Sequence, residues 1–141
     1  MRQLDGIIES CKRNGSYFFG ILGGEPLLYP NLFEIFEKHG DCYFQLFTNG
    51  TMLTPEIAKK IKKAKNVTPL ISIEGLEKES DIRRNDNEVF RRTMEGVENC
   101  TKEGIIVGAA ASICKGNFNE LVTSEYLEFL AKKGLHYMWY Y

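Results

Sequence analysis

The stretch YFFGILGGEP, residues 17–26, places an apolar run directly before a Gly-Gly-Glu-Pro turn. A continuous apolar run of this length predicts a strand of a parallel sheet that is covered on both faces. Gly23 and Gly24 leave backbone groups bare where the strand ends, and Pro26 fixes the path by which the chain leaves. The stretch therefore predicts a β/α unit whose loop a ligand can approach closely.

The same alternation of strand and helix periods continues through the 141 residues. Amphipathic helical stripes separate the apolar runs, and Thr54-Pro55 is a typical helix start, with Thr as N-cap. Pro69 is expected at a strand start or a bulge, because proline lacks a ladder donor. Strands are predicted over residues 17–22, 42–47, 67–73, 105–113 and 135–141.

This pattern predicts an α/β fold, a parallel β/α array of about five strands in one domain. The array is either an open sheet or an arc of a barrel. A complete eight-unit barrel is excluded, because it needs more than about 200 residues.

Composition narrows the class of protein. The chain has 18 Lys and Arg against 19 Asp and Glu, with a formal charge of −1, which argues against a nucleic-acid-binding protein. No apolar run approaches the roughly 18 residues that a membrane helix needs. The four cysteines form no C-x-x-C pair, which indicates reduced thiols, mostly buried, in a cytoplasmic protein. His39 and His136 have no partner at ligand spacing, so no metal ligand is predicted.

Ligands of parallel β/α arrays bind at the carboxyl ends of the strands, which directs attention to the loops that follow them. Glu25 supplies a carboxylate that can accept from an ammonium group, so the first loop suits a zwitterionic amino-acid moiety. A phosphate would favour Lys and Ser after the glycines, and neither is present. The alternative is a tight turn in which Glu25 caps the next helix, and the residues alone leave both interpretations open.

Other polar residues near the strand ends have structural and functional interpretations. The Ser72 hydroxyl can bind a ligand or a neighbouring strand. Arg83 and Arg84 can capture a carboxylate or remain solvated. Asn49 before Gly50 is a turn signature first and a ligand contact second.

Taken together, these loops resemble the radical S-adenosylmethionine (radical SAM) superfamily over nearly the whole chain. The residues that carry the resemblance are, in chain order, Gly23-Gly24-Glu25-Pro26 with Leu27, Leu28 and Pro30, Leu46 to Thr51, Ile71-Ser72-Ile73-Glu74-Gly75, Asp81 with Arg84, and Ser112 with Asn117.

The resemblance implies a partial (β/α)6 barrel of TIM type and an oxidoreductase-type enzyme. Such enzymes reductively cleave S-adenosylmethionine (SAM) to a 5′-deoxyadenosyl radical, with an electron from a four-iron, four-sulfur (4Fe-4S) cluster. The GGEP segment of the family binds the methionine amino group, which falls on Gly23, Gly24 and Glu25, with Pro26 shaping the turn. By the same resemblance Ser72 contributes to SAM binding and Arg84 meets the SAM carboxylate. Asn49 is included among the cofactor-binding candidates.

One departure from the family is the absence of the C-x3-C-x2-C motif that holds the cluster. Thiolates are the ligands of such clusters, so no cluster is expected in this chain. The first barrel strand is also lacking, and the chain ends within the last strand. Residues 1–141 are therefore expected to form a single partial core domain, inactive alone, excised from a longer enzyme. The alternative is a degenerate binding or regulatory module on the same scaffold.

A flavodoxin-like or Rossmann-like nucleotide binder fits poorly, because Glu25 and Pro26 stand where a phosphate loop would be. The expected partners are SAM and an unknown substrate, without nucleic acid or membrane. Residues 135–141 are expected to pair with another chain or to be poorly ordered, since an exposed strand edge invites self-association.

Overall fold

The computed structural model of the chain describes residues 2–84 and 88–141. Its elements are α1 (Arg2–Arg13), β1 (Phe18–Ile21), a 3-10 turn (Pro26–Leu28), α2 (Leu32–Lys38), β2 (Tyr43–Thr48), α3 (Pro55–Ala64), β3 (Val67–Ser72), α4 (Glu77–Arg84), α5 (Val89–Lys102), β4 (Gly108–Ala111), α6 (Phe118–Leu121), α7 (Ser124–Lys132) and β5 (Tyr137–Tyr140).

All five strands pair in parallel, in the order β1-β2-β3-β4-β5. Crossovers between parallel strands are right-handed, so a sequential strand order places the helices on one face of the sheet. A doubly wound nucleotide-binding sheet would instead reverse its strand order. The predicted parallel α/β array is confirmed, and the order of its strands is that of a barrel arc.

Residues of each strand alternate between the two faces of the sheet. Phe44, Leu46 and Ile71 face the helices and join a continuous core with Ile8, Ile35 and other helical residues. The opposite face carries the intervening residues, among them Gln45 and Phe47.

Side chains of β2 and β5 meet across this second face. Gln45 Nε2 donates to Tyr137 Oη at 2.6 Å, and the ring centroids of Phe47 and Trp139 are 5.9 Å apart. The two strands are separated by two others, which would place them about 14 Å apart in a flat sheet. The contacts therefore require a curved sheet whose concave face is the inside of the barrel arc.

Local chemistry explains several helix boundaries. The Thr54 hydroxyl accepts from Ile57 N at 3.3 Å, and Pro55 takes the first helical position, as the sequence predicts. Lys65 ends α3 in the left-handed conformation with φ 65°. Thr123 caps α7 in the same way as Thr54 caps α3.

Pro69 lies third in β3, so its expected place at a strand start or bulge is wrong. Ile73 N donates to Ala110 O at 2.9 Å, and backbone amides alternate sides along a strand. The nitrogen of Pro69 therefore points toward the β4 side. Pairing with β4 begins only at Leu70, opposite Gly108, so the ladder lacks no donor.

Two further expectations differ from the structure. Residues 77–84, where the sequence predicts neither a helix nor a strand, form α4, and β4 is shorter than the predicted 105–113. Residues 137–140 form a regular strand paired with β4, so the disorder expected there is not found. Pairing of the outer edge of β5 with another chain stays a prediction. None of the described helices has the length and apolar content to cross a bilayer.

Candidate functional site

The Gly23–Gly24 backbone lies open at the carboxyl end of β1. Both residues are exposed, and a Cβ built on either would meet no atom within 4 Å. Gly23 has φ +151°, a conformation that L side chains rarely adopt. The loop therefore presents backbone polar groups to a ligand without an intervening side chain.

Glu25 holds this loop against the end of β2. Its Oε1 accepts from Leu27 N at 3.2 Å and from Thr48 Oγ1 at 2.8 Å, and its Oε2 accepts from Asn49 N at 3.1 Å. The contact with Leu27 caps the 3-10 turn that begins at Pro26. The capping interpretation is thus observed. Because a carboxylate has about four acceptor positions, one position remains for an ammonium group.

Asn49 serves the turn after β2. Its Oδ1 accepts from Thr51 N at 2.9 Å and from Thr51 Oγ1 at 2.7 Å, which is an Asx-turn arrangement. Its carbonyl accepts from Thr93 Oγ1 of α5 at 2.9 Å. These contacts make Asn49 a positioning residue of the loop that receives Glu25.

Ser72 ends β3 on the concave face, half-buried and opposite Ala110 of β4. Its hydroxyl has no hydrogen-bond partner among the described residues, and Ala110 beside it is small. A hydroxyl group at the mouth of the arc is therefore available to a ligand.

Glu74 and Asn117 join the loops after β3 and β4. Glu74 Oε2 accepts from Ser112 N at 3.0 Å. Asn117, which is 1% exposed, donates from Nδ2 to Glu74 O and Ser112 O, both at 3.1 Å, and accepts from Cys114 N at 2.8 Å. Sequence reasoning reached Asn117 only through the family resemblance, because a buried clamp of two loops has no local signature.

The predicted pair of Asp81 and Arg84 lies on α4. Asp81 Oδ1 accepts from Phe90 N at 3.0 Å, which ties α4 to the first turn of α5. The side chains of Arg83 and Arg84 lie outside the part of the chain that the structure describes, so the predicted carboxylate contact of Arg84 stays a prediction.

The strand ends thus carry two connected groups, one around Glu25 and one around Glu74. The first fits the amino group of a zwitterionic ligand, since an open backbone lies beside a carboxylate with acceptor capacity. The cysteines do not fit an iron–sulfur cluster. Cys42 and Cys100 are buried, and no three cysteines lie within ligand distance of one another in the described ranges.

The sequence model of the radical SAM superfamily matches residues 1–130. The chain belongs to that superfamily, as the strand-end motifs predict.

Curated relatives place the chain beside enzymes that differ in their reactions. It is 36% identical over 117 residues to the AdoMet-dependent heme synthase of Methanosarcina barkeri, covering 81% of this chain and 34% of the relative. It is 33% identical over 118 residues to the GTP 3′,8-cyclase of Aliarcobacter butzleri, covering 81% and 36%. The chain therefore spans about a third of the length of these relatives.

Solved structures agree in fold. The Streptococcus suis protein SuiB bound to S-adenosylmethionine superposes with a TM-score of 0.77 at 21% identity, covering 96% of this chain and 32% of that one. SuiB bound to its precursor peptide SuiA gives a TM-score of 0.78 at 20% identity, with 99% and 31% covered. At this level of identity the likeness establishes the fold of the arc.

Proposed function

We propose that this chain is part of a radical SAM enzyme of oxidoreductase type and supplies much of its SAM-binding face. The observation that carries the proposal is the open Gly23–Gly24 backbone, which Glu25 fixes to the end of β2. The family match over residues 1–130 supports it. SAM, when bound, supplies the 5′-deoxyadenosyl group that such enzymes release by reductive cleavage.

The methionine end of SAM is assigned to the first loop. The bare carbonyl oxygens of Gly23 and Gly24 and the remaining acceptor position of Glu25 would accept from its ammonium group. Pro26 begins the 3-10 turn and so sets the direction of the loop. Thr48 and Asn49 act through Glu25, since their groups donate to its carboxylate.

The other end of the site is assigned to β3 and α4. Ser72 donates or accepts through its hydroxyl at the mouth of the concave face. Arg84 is the proposed partner of the SAM carboxylate, because a guanidinium suits bidentate capture. The pair of charges, Glu25 for the ammonium group and Arg84 for the carboxylate, would select a zwitterion.

The 4Fe-4S cluster is assigned to ligands outside these 141 residues, because the four cysteines of the chain do not fit it. The active enzyme is accordingly the longer protein, and the chain alone is expected to be inactive. Cysteines without disulfides support a location in the reducing cytoplasm.

The test compares two glycine substitutions in the full-length enzyme, reconstituted anaerobically with iron and sulfide. Gly24→Ala adds a methyl group in open space, so the fold is retained while the ligand is kept from the backbone. Gly40→Ala is the matched control at the opposite end of the sheet, where the added Cβ makes only an ordinary contact of 3.7 Å with Glu37 O. Equilibrium dialysis of SAM and chromatography of 5′-deoxyadenosine are the measurements.

We expect the unsubstituted enzyme to show broad cluster absorbance and to form 5′-deoxyadenosine. Gly24→Ala should weaken SAM binding about 10-fold or more, the loss of one hydrogen bond to a charged group, and Gly40→Ala should leave it unchanged. Equal SAM affinity in both variants would show that the first loop does not bind SAM. Absence of cluster absorbance together with absence of 5′-deoxyadenosine would favour a non-catalytic module instead.

A further inference from the structure

A second group of side chains lies at the opposite end of the sheet, where α2 leads into β2. His39 caps the carboxyl end of α2, and Asp41 and Cys42 follow directly. One ligand atom of each lies within 4.8 Å of the other two. This group has no part in the proposed SAM site, which lies at the carboxyl ends of the strands.

His39 is 1% exposed, and its two ring nitrogens have different surroundings. Nε2 lies 2.9 Å from Asp5 Oδ1 of α1. Nδ1 is buried and has no hydrogen-bond partner among the described residues, although Glu9 Oε1 lies 3.4 Å from it. A carboxylate at Nε2 favours the proton on that nitrogen and leaves a lone pair on Nδ1. A buried acceptor without a partner is costly, which points to a group that it binds.

The carboxylates beside His39 already attract positive charge. Lys12 Nζ lies 2.8 Å from Asp41 Oδ2 and 3.7 Å from Glu9 Oε1, so the ammonium group bridges the two carboxylates. Lys12 belongs to α1 and has a long, flexible side chain. A metal ion bound between the same carboxylates would displace its ammonium group toward solvent.

We propose that His39 Nδ1, Cys42 Sγ and a carboxylate oxygen of Asp41 bind one zinc-like divalent ion. Glu9 lies outside this group of three, but its Oε1 is 3.4 Å from His39 Nδ1, and it would move in as the fourth ligand. Imidazole, thiolate and carboxylate together are a zinc ligand set, and four of them suit its tetrahedral geometry. Coordination replaces the proton of the Cys42 thiol, which passes to solvent, and no electron is transferred. Asp5 is the positioning residue, because it holds the outer nitrogen of the ligating imidazole.

The bound ion would join α1 to the connection between α2 and β2. Glu9 comes from α1, whereas the other three ligands lie within four residues of one another. The short segment His39-x-Asp41-Cys42 is therefore the sequence signal for this site, and the prediction that His39 has no metal role is revised by the proposal. The sequence does not show that α1 packs beside this segment and brings Glu9 to it.

Cobalt titration of the reduced chain, free of iron and sulfide, tests the proposal. Co²⁺ in a tetrahedral site with a thiolate gives intense visible bands and a sulfur-to-cobalt charge-transfer band, which octahedral Co²⁺ in water lacks. We expect one equivalent of Co²⁺ to produce these bands and one equivalent of Zn²⁺ to abolish them. Far-UV circular dichroism of every variant checks that the fold is retained.

Cys42→Ser should abolish the charge-transfer band, and Cys100→Ser, which changes another buried cysteine, should retain it. Asp5→Asn should retain the band and weaken zinc binding about 10- to 100-fold, the usual effect of losing an outer carboxylate. Lys12→Met should tighten zinc binding, because it removes the competing cation.

Absence of tetrahedral bands in the folded chain would overturn the proposal, and so would bands that persist in Cys42→Ser. Should Cys42→Ser fail to fold, His39→Gln takes its place: we expect the tetrahedral bands at one equivalent of Co²⁺ to be lost although the thiol is intact, and their persistence would overturn the proposal. None of these readouts depends on SAM, so the outcome is independent of the proposed enzymatic function.

Discussion

Burial sets the chemistry of individual cysteine side chains in this chain. Cys100 lies on α5 with no exposed surface, and burial raises the pKa of its thiol to about 12. Cys114 is exposed in the loop after β4. Because the thiolate is the reactive form, these two residues should differ widely in reactivity.

Alkylation of the folded chain by iodoacetamide at pH 7.5 is expected to modify Cys114 first. The raised pKa lowers the thiolate fraction of Cys100 about 1000-fold relative to an ordinary thiol, and burial further restricts access. Peptide mapping by mass spectrometry at timed intervals measures the order. All four cysteines should react in urea, which serves as the control. Equal rates at Cys100 and Cys114 in the folded chain would contradict the assigned burial.

At the scale of elements, α5 holds the loop that receives Glu25. A Cβ on Gly96 of α5 would lie 2.2 Å from Gly50 O and 3.0 Å from Leu53 Cβ. Glycine is thus required at this position for close approach of the helix to the backbone. The same approach lets the Thr93 hydroxyl donate to Asn49 O.

Gly96→Ala is expected to destabilise the fold by about 1–3 kcal/mol, because the helix or the loop must move to relieve the contact. Helix propensity alone would favour alanine by about 1 kcal/mol, so a net loss identifies the packing effect. Gly6→Ala in α1 is the matched control, since its Cβ meets nothing within 4 Å, and we expect it to stabilise the chain. Urea unfolding measures both. Equal stabilisation by the two substitutions would show that α5 does not press on the loop.

At the scale of the whole molecule, curvature brings β2 and β5 together on the concave face. Tyr137 lies over Gly108, where a Cβ would be 2.3 Å from its ring, and reaches Gln45. Burial, followed by the proximity of Tyr43, raises the pKa of Tyr137 to about 12 against an ordinary value of 10.0. The folded chain therefore keeps this proton at a pH at which the unfolded chain has released it.

Stability should accordingly fall as pH rises from about 10 to about 12, since the folded state binds more protons there than the unfolded state. Tyr137→Phe should lower stability at pH 8 by about 1–3 kcal/mol, because Gln45 loses its acceptor, and should make the alkaline fall shallower. Urea unfolding at several pH values measures both effects. The same alkaline slope in the variant and the parent chain would mean that Tyr137 is not buried across the arc.

The sequence predicted most elements of the fold, because alternating burial leaves a local period in the chain. The apolar run before Gly23 and the capped start at Thr54 were confirmed in this way. Residues 77–84 were missed as a helix, because Ile82 is their only apolar residue. Their helix is held by contacts such as that of Asp81 with Phe90, and such contacts leave no periodic pattern in the sequence.

The sequence predicted one part of the candidate site, and the tertiary structure decided the other part. Residues 23–26 and Ser72 were proposed from the sequence, because ligands of parallel β/α arrays bind at the carboxyl ends of the strands. Which group Glu25 meets was left open, and packing joined it to Thr48, 23 residues away. The sequence by itself determined the β/α order and the superfamily. Only the tertiary structure decided the curvature, the contacts of Glu25 and the surroundings of His39, since these depend on which distant surfaces meet when the chain packs.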